Sequence, residues 1–420
     1  MKLLKPPGWL NHLEFYMKIL LIHTYYKFKG GEDSVVANEI ELLRSQGVEV
    51  ELLSFNNDHH SLLKLLLLPF NFSTYFKVKE KIISFKPDVV HLHNLHFAGT
   101  AAIVYAVSQF KLPLVYTLHN YRLLCPSGTL FHHNKIYMDA VHHDFPWNAV
   151  REKVYRNSHV LTFWVAFSMF LHQKLVTWNA VSKFIVLGEH SRQLFVQSKM
   201  VAHADRLLVK PNFCYALPVT NVEIERDYYL FVGRLSEEKG ILTLLKAFAE
   251  NGLPLKVVGS GPLSPLVENY ALNHFNIVFE GERKKEEVYQ LMEGAAALIF
   301  PSIWYETFGM TIIEAFSKGT PVIASDLGNL KNMIHHEYNG LRFEAGNSED
   351  LSAEIVYHHS LGEEQKSAYR TNALQTYLDN YTPEKNAVQL IGLYHSLCTG
   401  QCCIKNSEEE VNRHFYPLLK

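Results

Sequence analysis

The sequence predicts an α/β protein built of two doubly wound parallel-sheet domains, on three observations. Short apolar runs alternate with amphipathic segments through the first half of the chain, the signature of β-α-β units. The same alternation restarts after a polar, Pro-containing stretch near residues 213–226. A chain of 420 residues is also too long for one ordinary core and suits two of about 200 residues each.

Taken in order, residues 1–16 read as an appendage. Lys2 and Lys5 are followed by Pro6, Pro7 and Gly8 instead of an apolar core long enough for a signal peptide. The first domain is expected over 17–212, with strands at 18–24, 49–55, 88–93, 113–119, 183–188 and 206–210. Helical patterns fall near 32–46, 73–85, 98–109 and 190–198. An irregular insertion rich in His and aromatic residues, 125–178, interrupts the rhythm. Residues 213–226 read as a linker. The second domain, 227–380, has strands at 228–233, 255–259, 277–280, 297–301, 321–324 and 341–343. Its helices are expected near 240–250, 262–273, 284–293, 308–318 and 348–358. Pro383 opens a last helix, 384–397, in a C-terminal segment of 381–420.

Composition narrows the function. Hydrophobic residues at 48% with 20% charged describe a globular chain, and a net charge of −2 supplies no basic field for nucleic acid. Five cysteines, odd in number and without C-x-x-C spacing, point to a reducing compartment and no structural zinc. His91, His93 and His96 are close in sequence, but no carboxylate or thiol completes a ligand set, so no metal is expected. No apolar run approaches the roughly 18 residues of a membrane span. Leu62–Phe72 and Val160–Leu171 are unusually greasy. They suit core helices, or an interfacial surface on a bilayer assisted by Lys64, Lys77, Lys79 and Lys81.

The most informative segment is Trp304-Tyr305-Glu306-Thr307-Phe308-Gly309-Met310-Thr311, running on to Glu314 and Ala315. It follows an apolar strand ended by Pro301, with Thr307 as the expected N-cap and Gly319 as the C′ residue. The amides of Phe308, Gly309, Met310 and Thr311 would then be free to hold phosphate oxygens. Glu306 and Glu314 bracket them, which suits a sugar on one side and a ribose on the other. An ordinary strand-loop-helix unit with two solvated acids would read the same in isolation. Gly233-Arg234 and Lys239-Gly240 leave another strand of the same sheet and offer a guanidinium fork and an ammonium for a diphosphate; pairing with Glu237 and Glu238 is the plain structural alternative. Gly259-Ser260-Gly261 is a weak turn signal, and Arg283 ends the strand where a base would lie. Gly30 and Gly31 permit close backbone approach after the opening strand, and His119 stands at the end of another, placed to meet a sugar hydroxyl or a developing phosphate charge.

With these residues in view the chain resembles the retaining GT-B glycosyltransferases of family 4. The marks are G-G-E at 30–32, T-L-H-N-Y-R-L-L-C-P-S-G at 117–128, V-K-P-N at 209–212, V-G-R-L-S-E-E-K-G at 232–240, V-V-G-S-G-P at 257–262 and P-S-I-W-Y-E-T-F-G-M-T-I-I-E-A at 301–315. The likeness spans about residues 17–397. It implies two Rossmann-like domains facing a central cleft, with the C-terminal helix packing back on the first. It implies that Arg234 and Lys239 hold a donor diphosphate, with the Gly30-Gly31 loop facing it; Gly233 and Arg283 are read from their strand-end positions as further nucleotide-site residues. Glu306 would contact the donor sugar beside the Phe308–Thr311 amides, Glu314 the ribose, and His119 the reacting centre from the acceptor side. The implied activity is retaining sugar transfer from a nucleoside-diphosphate sugar to a glycan or lipid-linked acceptor, without metal or cofactor. The implied location is the cytoplasmic face of a membrane, with peripheral membrane contact. A sugar-nucleotide epimerase or hydrolase, or a non-catalytic sugar-binding component of a glycan-assembly complex, remain the alternatives. Cys125 stands alone, which puts in doubt any disulfide or metal role for the insertion.

Overall fold

The computed structural model describes residues 17–26, 30–57, 66–198, 204–216 and 226–398. The N-terminal appendage, most of the linker, Leu62–Leu65 of the first greasy segment and the tail after Cys398 lie outside them. In the first half, strands β1 (Lys18–Tyr25), β2 (Glu49–Asn56), β3 (Val89–Leu92) and β4 (Leu114–Leu118) precede a small antiparallel hairpin, β5 (Phe131–His132) and β6 (Lys135–Ile136). β7 (Lys183–Val186) and β8 (Leu207–Val209) follow. The sheet is parallel with order β2-β1-β3-β4-β7-β8. The second half adds β9 (Tyr228–Val232), β10 (Leu255–Val258), β11 (Ile277–Gly281), β12 (Ala295–Phe300), β13 (Val322–Ser325) and β14 (Gly340–Phe343). That sheet too is parallel, with order β11-β10-β9-β12-β13-β14.

These orders locate the chemistry. In an open parallel sheet, ligands bind beyond the carboxyl ends of the strands where the winding reverses. The reversals here are β1/β3 and β9/β12. The segments leaving them are Tyr26–Gly31 and His93–Phe97 in one domain, and Gly233–Lys239 and Pro301–Glu306 in the other.

The central strands are buried on both faces, as helix-covered parallel strands must be, so they read as continuous apolar runs. Both observed sheets follow the expected strands to within two residues. The last helix, Pro383–Cys398, packs Leu390, Leu393 and Tyr394 against Ile19, Leu21 and Val36 of the first domain. Lys210 Nζ donates to Asn386 Oδ1 at 2.9 Å on the same surface.

Two expectations need correction. The helix expected from Phe308 spans only Met310–Phe316, with Gly309 as its N-cap. Thr307 does not cap it, because its hydroxyl donates instead to the carbonyl of His119 across the cleft, at 2.9 Å. The second greasy segment becomes the helix His159–Lys174, capped by Ser158, whose Oγ accepts from the Leu161 amide. It buries Val165 and Ala166 but leaves Val160 and Phe163 exposed, so it is neither wholly core nor wholly surface. Among the described residues no helix is long and apolar enough to cross a membrane.

Candidate active site

A cavity of about 990 Å³ lies between the two domains, lined from both sides. The carboxyl ends of β9 and β12 contribute Gly233, Arg234, Lys239, Ser302 and Trp304, and the following helix start contributes Phe308, Gly309, Met310 and Thr311. The opposite wall carries Gly30 and Gly31, then Tyr26, His96, Phe97, Arg122, Tyr155 and Arg156. A Cβ added at Gly31 would meet only the Met310 side chain, at 4.0 Å. The glycine loop therefore faces the helix start across open space. The first amide of that helix with a carbonyl partner is that of Ile312, which bonds Gly309 O at 3.1 Å. The Met310 and Thr311 amides precede it and are available to an oxyanion. With seven residues the helix adds little macrodipole, so these donors act as individual amides.

The charged residues divide by exposure. The Arg234 side chain is 63% exposed and pairs with Glu238, with Ser236 Oγ at 3.2 Å from its Nε. That pairing is the plain surface alternative, yet the guanidinium remains on the cavity wall. Lys239 behaves otherwise. Its ammonium lies 2.6 Å from Glu306 Oε1, which also accepts from Ser302 Oγ at 2.6 Å. The Glu306 side chain is only 5% exposed. One oxygen of Glu306 is thus committed within the protein, just behind the Ser302 and Lys239 side chains that do line the cavity.

Glu306, Glu314, Arg283 and His119 do not line the cavity. Glu314 lies one turn deeper, receiving a hydrogen bond from the Tyr289 hydroxyl at 3.4 Å. Burial raises its carboxyl to about 7 against the pull of Lys285. Arg283 pairs with Glu280 at 2.5 Å on the outer edge of the sheet. His119 lies behind the wall in a buried polar chain. Its Nε2 is 2.9 Å from His93 Nδ1, whose Nε2 is 3.1 Å from Glu39 Oε1. Glu39 also reaches His91 at 3.1 Å, and His91 Nδ1 meets the Tyr394 hydroxyl at 2.6 Å. Burial pushes the Glu39 carboxyl up, but the His93 and His91 rings outweigh it and hold the group well below the carboxylate range. Burial, reinforced by His91, lowers His93 to about 4. The ring nitrogens of His93 thus link Glu39 to His119 in one buried chain.

This cluster corrects the sequence reading. A carboxylate does complete a set with His91 and His93, the three ligand atoms lying within 4.8 Å of one another. His96 is elsewhere, beside Tyr155 at 3.3 Å. The set is nonetheless satisfied by hydrogen bonds, and the Lys210 ammonium stands 3.9 Å from Glu39 Oε2. These groups form a buried polar network.

Sequence comparison agrees with this architecture. Residues 29–202 match Glycosyltransferase Family 4, and residues 218–376 match Glycosyl transferases group 1. The D-rhamnosyltransferase WbpZ of Pseudomonas aeruginosa is 26% identical over 77% of this chain and 82% of its own length. Two solved structures share the fold. Sucrose-phosphate synthase from Thermosynechococcus elongatus superposes with a TM-score of 0.68 at 19% identity, covering 91% of this chain and 100% of that one. Anabaena HepE in complex with UDP gives 0.64 at 18%, covering 90% and 100%. The chain belongs to the family 4 GT-B glycosyltransferases.

In this glycosyltransferase, Asn329 supports the Glu306 loop, a role the sequence reading did not single out. Its Nδ2 lies 3.1 Å from the carbonyl of Glu306, 3.0 Å from that of Thr307 and 2.7 Å from Ser191 Oγ of the first domain. It fixes the Glu306 loop and joins the domains at one point. The sequence holds a faint signal for it in Gly188, where a Cβ would come within 2.3 Å of Asn329 Oδ1. The aromatic and cationic wall of Phe97, Arg122, Tyr155 and Arg156 was also missed, because it comes from loops without periodicity.

Proposed function

We propose that this glycosyltransferase moves a sugar from a nucleoside-diphosphate sugar to a glycan or lipid-linked acceptor in polysaccharide or glycolipid assembly, with retention of anomeric configuration. The observation that carries the reading is that Arg234, Lys239 and the Met310 and Thr311 amides share one cavity with the Gly30-Gly31 loop. Two cations and two amides suit a diphosphate whose charge grows as the sugar departs. Names among the relatives, such as D-rhamnosyltransferase and O-antigen chain mannosyltransferase C, support the glycan setting. HepE, whose structure holds UDP, supports a nucleotide ligand.

In the reaction, the bond from the anomeric carbon to the diphosphate oxygen breaks and a bond to the acceptor hydroxyl oxygen forms on the same face. The acceptor proton passes to the departing phosphate oxygen. Arg234 and Lys239 neutralise the leaving diphosphate, which is why no metal is invoked. Glu306 orients the donor sugar and Glu314 the ribose, each after a shift toward the cavity. His119 acts on the acceptor side, from behind the first-domain wall. The exposed aromatic flank of the helix His159–Lys174 is the surface that would rest on a membrane.

A calorimetric screen against UDP-, GDP-, ADP- and dTDP-sugars tests the reading. One family of nucleotide should bind and be turned over with acceptor, in the presence of EDTA. Isomerised donor without acceptor, or no binding of any nucleotide, would overturn it.

A further inference from the structure

The cavity carries positive charge on two opposed walls, and the donor reading uses only one of them. Arg234 and Lys239 belong to the second domain. Arg122, in the loop after β4, and Arg156, in the insertion, belong to the first. The Arg122 guanidinium lies 5.3 Å from the Tyr155 ring centroid, and that of Arg156 lies 5.4 Å from Tyr155 and 5.5 Å from Phe97. Ion pairs among the described residues involve Arg192, Arg234, Arg283, Arg342 and Arg370 but neither of these two. Arg122 Nη1 donates to the Pro126 carbonyl, while its Nε is buried with no partner. Two guanidiniums with donors to spare, facing one side of a cavity, suit a tetrahedral oxyanion.

Two neighbouring titratable groups lean away from their charged forms. Burial, followed by repulsion from Asp33, raises the Glu32 carboxyl well above its usual range even with Arg122 nearby. Burial, and then the two arginines, hold the His96 ring well below its usual value and therefore neutral. The backbone supplies a separate sign. Phe97 and Arg156 both stand in the left-handed region, at φ 61° and 51°. A bulky residue rarely adopts that conformation, and such strain collects at binding sites. Here it turns a ring and a guanidinium onto the same wall.

We propose that this wall is the acceptor subsite and that the acceptor carries a phosphate group, held by Arg122 and Arg156, with its sugar against the Phe97 and Tyr155 rings. The assignment rests on the donor reading above for its name as an acceptor site. The anion site itself stands on the arginines alone. The phosphate can come from a soluble sugar phosphate or from a lipid-borne diphosphate, and the chemistry at the guanidiniums is the same.

The test is calorimetric titration of the full-length protein with inorganic phosphate and with mannose 1-phosphate, each with and without saturating UDP or GDP. A third titration uses undecaprenyl diphosphate in detergent micelles, and separates the lipid source from the soluble one. Arg156 is exposed, so Arg156→Ala and Arg156→Glu should fold, and Arg122→Lys tests the second cation without removing charge. We expect phosphate ligands to bind alongside nucleotide. Arg156→Ala should weaken them at least about tenfold, as for one charge-assisted hydrogen bond, with nucleotide affinity unchanged. Arg234→Ala should do the reverse. No phosphate binding to the wild type, or phosphate affinity indifferent to Arg156→Glu, overturns the proposal. Arginine variants that weaken nucleotide instead would show both walls gripping a single diphosphate, and overturn it as well. Failure of the donor reading looks different: no nucleotide binds, while the phosphate titrations still respond to Arg156.

Discussion

Two cations in one cavity need not do the same job, and exposure separates them. Arg234 is solvent-facing, and its partner Glu238 keeps the Ser236 hydroxyl as a donor, so Arg234→Ala should change the melting temperature little. It should still lower kcat/KM by about 2–4 kcal/mol of lost transition-state stabilisation, read from steady-state kinetics. Lys239 is the counter-charge of a nearly buried carboxylate. Lys239→Ala should lower activity and also destabilise the fold by about 2–4 kcal/mol in urea, because Glu306 is left buried and unpaired. Equal thermal stability of the two variants would contradict the division. Glu314 offers a pH test. Its folded carboxyl is raised to about 7, above the roughly 4.3 of an unfolded Glu. The folded state then holds a proton that the unfolded state releases, so stability falls as pH rises from about 4 to 7 and stays lowered above that. Glu314→Gln should therefore gain on the order of 1–3 kcal/mol over wild type at pH 8 and nothing at pH 4. Identical urea midpoints for the two proteins at both pH values would refute this.

At the scale of elements, most of the chain was legible because burial on both faces of a parallel sheet leaves a periodic apolar trace. What was not legible depended on partners distant in sequence. Thr307 looks like an N-cap until His119 of the other domain takes its hydroxyl. Glu39 looks like one more solvated helical acid, yet it is buried against His91 and His93. Arg234, Lys239 and the 308–311 segment were found because each leaves a strand end, and the fold rule puts strand ends together. Arg156 and Phe97 sit in loops, where no rule places side chains. The turns after β9, β10 and β12 explain glycines that motif reading left ambiguous. A Cβ at Gly240, whose φ is 69°, would lie 1.9 Å from the Pro301 carbonyl, and one at Gly259 equally close to the Gly233 carbonyl. The glycines let these turns touch and so fix Lys239 beside Glu306. Gly240→Ala should then destabilise by at least about 2 kcal/mol from strain and displaced backbone. Nucleotide affinity should fall with it. A variant as stable as wild type in urea would show that the two turns are not locked together.

At the scale of the whole molecule, the question is what holds the two domains around the cavity. The C-terminal helix supplies one tie, through Tyr394 to His91 and Asn386 to Lys210. The second tie runs through the site, from Ser191 to Asn329 to the carbonyls of Glu306 and Thr307. The domain contact and the placement of the sugar-orienting carboxylate are thus one hydrogen-bond network. Asn329→Ala should loosen both, leaving two buried carbonyls without a donor at about 1–3 kcal/mol each. Ser191→Ala weakens the tie between domains, keeping the Ser191 amide on Asn329 Oδ1 and the Thr307 hydroxyl on the His119 carbonyl, and leaves the Glu306 loop held. If closure positions the donor sugar, both variants should lower kcat while nucleotide affinity, which depends on Arg234, stays near wild type. Small-angle scattering should report a larger radius of gyration for both. Should Ser191→Ala retain full kcat and an unchanged radius while Asn329→Ala loses activity, the network would act only on the loop, and the interdomain tie would have no part in turnover.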